Sequence, residues 1–383
     1  MEMTVRSQEM YDKAMHIHSV AQAREELMQT GNFHTLGDIL RESCGPSPKQ
    51  ELVDGLMDQE PSARRESIDR KVRNWLNGRT NSLSKEDAFR LSLILKLNLR
   101  ETDTFLRSVT GEGIHWRSPE DVVWAYGVSN GCPYWQILRL LDQTGHMKEQ
   151  VKLQNRQLPV TYTEAVAARL IPALSLPEPE FLAVLEELAR EFGTFHNTAY
   201  RLFMQYMLLL ETGGADSGLS PEHKMTTQDI LEKYLFRKLL PVAKQNEQRS
   251  KEAFTDIQRS IRANWPDEAT LSKMKHREID VTRKVLILLF LATDGYEAED
   301  PDGEEDDFCE EDEEELTRDE RFENVYARMN RMLRSCGFQL LDARSPFDWL
   351  ILCCISVDDL WNIDRLMKAM LSAIFPLEQE ETP

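Results

Sequence analysis

Phe181-Leu182-Ala183-Val184-Leu185-Glu186-Glu187-Leu188-Ala189-Arg190-Glu191-Phe192 sets apolar side chains at 181, 182, 185, 188, 189 and 192. Steps of three and four residues gather such a set onto one side of a helix. Leu202, Phe203, Tyr206, Met207 and Leu210 repeat the pattern immediately downstream. The two stripes read as an antiparallel helix pair packed stripe against stripe. Start signals elsewhere agree. Ser118-Pro119-Glu120-Asp121 and Ser345-Pro346-Phe347-Asp348 each place a serine cap before proline at the first helical position, with a carboxylate at the third. Ser84-Lys85-Glu86-Asp87 resembles a capping box, with Asp where Glu or Gln is usual. Gly (17) and Pro (16) are too scarce for a turn-dense β architecture, and neither βαβ alternation nor an Asn-Gly hairpin occurs. The expectation is an all-α chain.

The charge is concentrated. Of the 383 residues 29% are charged and the net charge is −20, and the segment 297–320 alone holds sixteen acids against one base, Arg318. Self-repulsion and a shortage of apolar groups predict an acidic, disordered loop there. The longest apolar runs, 285–292 and 349–355, are far shorter than the ~20 residues needed to span a bilayer. The first residues show no apolar signal segment, and the six cysteines form no C-x-x-C pair, with Cys353 and Cys354 adjacent in an apolar run. These features predict a cytoplasmic chain with buried thiols and no membrane partner.

Between 33 and 111 the periodicity predicts five short helices, over 35–42, 47–57, 62–77, 84–96 and 99–109. The third, with its exit, reads Glu66-Ser67-Ile68-Asp69-Arg70-Lys71-Val72-Arg73-Asn74-Trp75-Leu76-Asn77-Gly78-Arg79. It is similar to the recognition helix and exit turn of lambda-repressor-like (XRE-type) helix-turn-helix domains: a polar helix, an aromatic or apolar residue, then Gly and a base. Ala88, Leu91, Ile94, Leu95 and Leu97, followed by Leu99, Glu101, Phe105, Leu106 and Gly111, resemble the fourth and fifth helices of that family. The connection 58–65 is longer than the family's turn. Residues 61–100 carry ten bases and four acids in an otherwise acidic chain. A lone helix fits the major groove, and flanking bases neutralise phosphates. Ile68, Val72, Trp75 and Leu76 should face the core, while Ser67, Arg70, Lys71 and Asn74 form the outward stripe. The resemblance implies that Ser67, Arg70 and Asn74 face bases and that Arg64, Arg65, Lys71, Arg73 and Arg79 face phosphates.

Other chemistry is not visible. There is no phosphate-binding G-x-x-x-x-G-K-[ST] loop and no H-E-x-x-H, and His16 and His18 point apart on a helix. No catalytic residue, metal or cofactor is expected. Trp116, Trp124, Tyr134 and Trp135 fill a core or anchor a partner. The expected organisation is an N-terminal helix over 1–30, a helix-turn-helix-like module over 31–127, a helical domain over 128–296, the acidic loop over 297–320, and C-terminal helices over 321–383 packing back onto the helical domain. The functional expectation is a non-enzymatic, DNA-binding transcription regulator whose helical remainder senses or recruits a protein partner or self-associates. The main alternative is a protein-interaction scaffold whose degenerate module never touches DNA, and a third is an enzyme whose catalytic residues are scattered along the chain.

Overall fold

The helical periods translate directly into helices. The computed structural model describes residues 5–29, 33–77, 80, 82–155, 163–212, 225–240, 255–293, 317–356 and 363–375, and among these no strand occurs beyond an isolated bridge between Glu112 and Phe338. In chain order the helices are α1 (Val5–Met15), α2 (Val20–Met28), α3 (Leu36–Ser43), α4 (Pro48–Gln59), α5 (Arg65–Leu76), α6 (Lys85–Ile94) and α7 (Leu99–Thr110). They continue as α8 (Pro119–Ser129), α9 (Tyr134–Gln143), α10 (Met147–Asn155), α11 (Thr163–Ala173), α12 (Glu178–Glu187) and α13 (Asn197–Thr212). The last are α14 (Thr227–Lys233), α15 (Asp256–Arg262), α16 (Glu268–Lys275), α17 (Arg283–Ala292), α18 (Arg318–Ser335), α19 (Pro346–Ser356) and α20 (Ile363–Ile374). The expected acidic loop falls mostly on 294–316, outside the described residues.

The chain divides into two units. One comprises 34–197 with 336–339; the other comprises 1–33, 198–335 and 340–383. From residue 34 on, the module expected over 31–127 therefore shares its unit with α9 to α12, and the helices expected as one domain over 128–296 are divided between the units near 197. The stripes that the periodicity suggested would pair are each buried, but Phe181 and Leu185 on α12 belong to the first unit and Phe203, Tyr206 and Leu210 on α13 to the second. Periodicity fixes which side of a helix is apolar and carries no information about which helix covers it.

In the unit that spans 34–197 the core runs from Leu36 and Leu40 on α3 through Leu52, Leu56, Val72, Trp75, Phe89 and Leu106 to Trp124, Ile137 and Phe181. Its helices start where side chains accept from orphan amides. Ser84 takes Asp87 N (3.1 Å), Asn98 and Glu101 form a capping box, and Ser118 takes Asp121 N (3.2 Å). Gly37 on α3 is required by close approach, since a Cβ there would lie 2.3 Å from the Leu76 carbonyl oxygen at the end of α5.

The other unit is organised around α19, every residue of which is buried, as an all-round apolar helix must be. The N-terminal segment, expected as one helix, is two. Ser19 accepts from Gln22 N at 3.2 Å and caps a new start at Val20. α1 packs on α19 and α2 on α20, with Trp349 Nε1 donating to the Met10 carbonyl at 3.2 Å. Arg318 closes this corner by donating to the carbonyls of Met15 (2.9 Å), Ile17 (2.6 Å) and Ser356 (2.6 Å), where two helices end. A cation suits that place because the last carbonyls of a helix carry its negative pole.

Candidate functional site

The site is built on α5, and the sequence of α5 dictates its two sides. Ile68, Val72 and Trp75 are buried against α3 and α4, while Ser67, Arg70 and Lys71 are exposed and Asn74 is half-buried. Leu76, expected in the core, is half-buried. At its C-terminal end α5 is fixed: Arg41 Nη2 on α3 donates to the Leu76 carbonyl. At its N-terminal end Arg64 stands at the cap without a side-chain cap bond, and the tie is instead from Arg65 to Asp54 on α4. The connection read as 58–65 is only five residues, 60–64, because α4 runs on to Gln59 and α5 starts at Arg65.

Arg64, Arg65, Ser67, Arg70 and Arg73 line one open concavity of about 720 Å³ together with Glu66 and Asp69. Five of the eight residues singled out in the sequence are thus brought together. Lys71 is set apart. Its Nζ sits 2.6 Å from Asp87 Oδ1 and 5.2 Å from the centre of the Trp75 ring. Arg79 lies outside the described residues.

The cations are not equivalent. Arg65 Nη2 lies 2.6 Å from Asp54 Oδ1, and Asp69 is clamped between Lys49 Nζ (2.6 Å) and Arg73. The Arg65 hydrogen bond holds the Asp54 carboxyl below its ordinary pKa, and Lys49 does the same for Asp69. Arg64 and Arg70 have no ion-pair partner among the described residues. Four arginines against two carboxylates leave the concavity positive.

The local excess of bases counted over 61–100 overstates the surface charge. Arg90 is only 5% exposed: its guanidinium lies over the Tyr134 ring (4.8 Å), its Nε donates to Gln59 Oε1 (2.9 Å), and its Nη2 is 3.3 Å from Glu60. It therefore holds the end of α4, where the connection to α5 begins. Lys85 is taken up by Asp121 at 2.7 Å. Neither role was visible in the sequence, because the partners lie some thirty residues away. Of the aromatic cluster, Trp124 and Tyr134 are buried and stacked, whereas Trp135 is 65% exposed on the outer side of α9 with Leu138 one turn on.

Elsewhere the chemistry is structural. Burial pushes the thiol of Cys353 far up and that of Cys354 up to about 12, so both are packing groups. Lys284 Nζ, facing the Phe347 ring at 4.5 Å, donates to the Ile261 carbonyl (2.9 Å) and finishes α15. Among the described residues no three His, Cys, Asp or Glu side chains converge on a metal position, and no helix is long and apolar enough to cross a membrane. Comparison of the chain with protein-family models, with curated proteins and with solved structures found no match.

Proposed function

We propose that the chain is a non-enzymatic regulator that binds duplex DNA through the outer side of α5. The observation that carries this reading is the pair Arg64 and Arg70, exposed and without carboxylate partners among the described residues, on a helix whose opposite side is buried. In this reading Ser67, Arg70 and Asn74 meet base edges, and Arg64, Arg65, Lys71 and Arg73 meet phosphates, as the resemblance to lambda-repressor-like domains implies. The ion pairs of Arg65, Lys71 and Arg73 are a small obstacle. Exposed pairs are worth about 0–1 kcal/mol, so exchange of a carboxylate for a phosphate costs little.

The test is duplex binding by the full chain, followed by fluorescence anisotropy over a salt series with sequences enriched from a randomised pool. Affinity should fall steeply with salt, and Arg64→Ala should lower the slope of log K against log salt by about 0.9, one phosphate contact. Arg70→Ala should cost ~1–3 kcal/mol on an enriched sequence. Salt-independent binding, or two variants indistinguishable from the parent, refutes the reading.

Trp135 favours a second reading, a protein-interaction scaffold. A tryptophan 65% exposed beside an exposed Leu138 is the residue type that anchors protein interfaces. Trp135→Ala should then abolish capture of a protein partner while Arg70→Ala leaves it intact.

A further inference from the structure

Residues 336–339 return to the first unit and lie on the end of α7. Arg107 Nη1 donates to the carbonyls of Gly337 (2.9 Å) and Phe338 (3.2 Å), Gln339 N donates to the Gly111 carbonyl (3.4 Å), and Phe338 bridges Glu112. Phe338 is 1% exposed, and its ring meets His196 at 4.8 Å. His196 in turn meets His115 edge to face, at 4.7 Å and 80°. The short clasp is thus seated on His196, which in turn rests on His115.

His115 cannot carry a proton comfortably in this place. It is 8% exposed, and its Nδ1 has no hydrogen-bond partner on another residue among the described residues. The groups that face it are His196, Lys85 on α6 and Arg117, which is itself 1% exposed. The nearby carboxylates are committed: Asp121 Oδ2 accepts from His115 N (2.8 Å) and from Lys85 Nζ (2.7 Å), and Glu112 lies 3.9 Å from the same ammonium. A charged His115 would therefore sit in a buried site among cations with no uncommitted carboxylate facing it among the described residues. The same cations argue against a metal there.

We propose that the His115–His196 contact is an acid-sensitive latch, in which proton uptake by His115 releases residues 336–339 from the end of α7. Burial first, then His196, Lys85 and Arg117, keep the packed ring well below its ordinary pKa. The released ring titrates near the ordinary value of about 6.5. The sign follows from linkage: the open form binds the proton and the closed form does not, so closure weakens as pH falls through about 6.5. One proton taken up only on opening raises the opening constant about tenfold between pH 7.5 and 5.5.

Cys336, a buried thiol at the head of the clasp, is the reporter. The full chain is labelled with a disulfide reagent that reacts in acid. The Cys336 rate is read by peptide mass spectrometry and divided by that of the denatured chain at the same pH. The ratio should rise about tenfold from pH 7.5 to 5.5, with Cys353 and Cys354 protected throughout. His115→Gln should flatten the rise. His196→Phe, which keeps an aromatic ring against Phe338, should preserve it and decides the matter if the Gln variant does not fold. A pH-independent ratio, a rise shared by Cys353 and Cys354, or loss of the rise in His196→Phe overturns the proposal.

Discussion

Gly37→Ala is the sharpest test of how α5 is held. The added Cβ would stand 2.3 Å from the Leu76 carbonyl oxygen and 2.8 Å from its carbon, whereas ordinary contact begins at 3.4 Å. The obstacle is backbone and cannot rotate away, so α3 and the end of α5 must separate by about 1 Å. Overpacking costs ~1–3 kcal/mol, an immovable backbone obstacle falls in the upper half of that range at about 2–3 kcal/mol, and replacing glycine inside a helix returns roughly 1 kcal/mol, leaving a net loss of about 1–2 kcal/mol. That corresponds to roughly 5- to 30-fold in the population of the opened state. Amide hydrogen exchange of peptides covering 65–76, measured in the full chain, should accelerate by that factor. Gly55→Ala is the control. Its Cβ would meet Ile94 side-chain atoms at 2.5 and 2.8 Å, a half-buried side chain of α6 and not backbone of α5, so the effect over 65–76 should be smaller. Unchanged or slower exchange over α5 in Gly37→Ala would refute the argument that these two backbones touch.

Two further outcomes follow from buried charge and buried thiols. Arg283 grips Asp348 with both terminal nitrogens (2.8 and 2.7 Å), and Asp348 is 1% exposed, so Asp348→Asn should cost ~3–5 kcal/mol in guanidinium unfolding followed by tryptophan fluorescence. A loss under about 1 kcal/mol would show that the guanidinium finds other partners. Burial and Glu51 push Cys44 up to about 11, so its thiolate fraction keeps growing where an ordinary cysteine has saturated. Its labelling rate should climb about tenfold per pH unit from 8 to 10, and a plateau near pH 9 would contradict the assignment.

The sequence was readable wherever a property depends on residues within one or two turns. The all-helical class, the caps at Ser84 and Ser118, and the division of α5 into a buried side at Ile68, Val72 and Trp75 and an exposed side at Ser67 and Arg70 all rest on local spacing, and the structure has them. What depended on distant partners was not readable. Arg90 counts as a surface base until Gln59 and Tyr134 close over it, and Arg65 counts as free until Asp54 reaches it. A single long N-terminal helix fails at Ser19, whose hydroxyl competes for the backbone.

The placement of α1 and α2 sets an order in time. As the chain is made, residues 34–197 have every other part of their own unit to hand except 336–339. The first two helices must wait, because the Arg318 that donates to the carbonyl of Met15 is synthesised 303 residues later. Contacts so far apart close slowly, and waiting apolar surface is exposed to misassembly. The nascent protein therefore offers one nearly complete unit while the other is still unfinished, and its early helices are where a holdase would have most to shield.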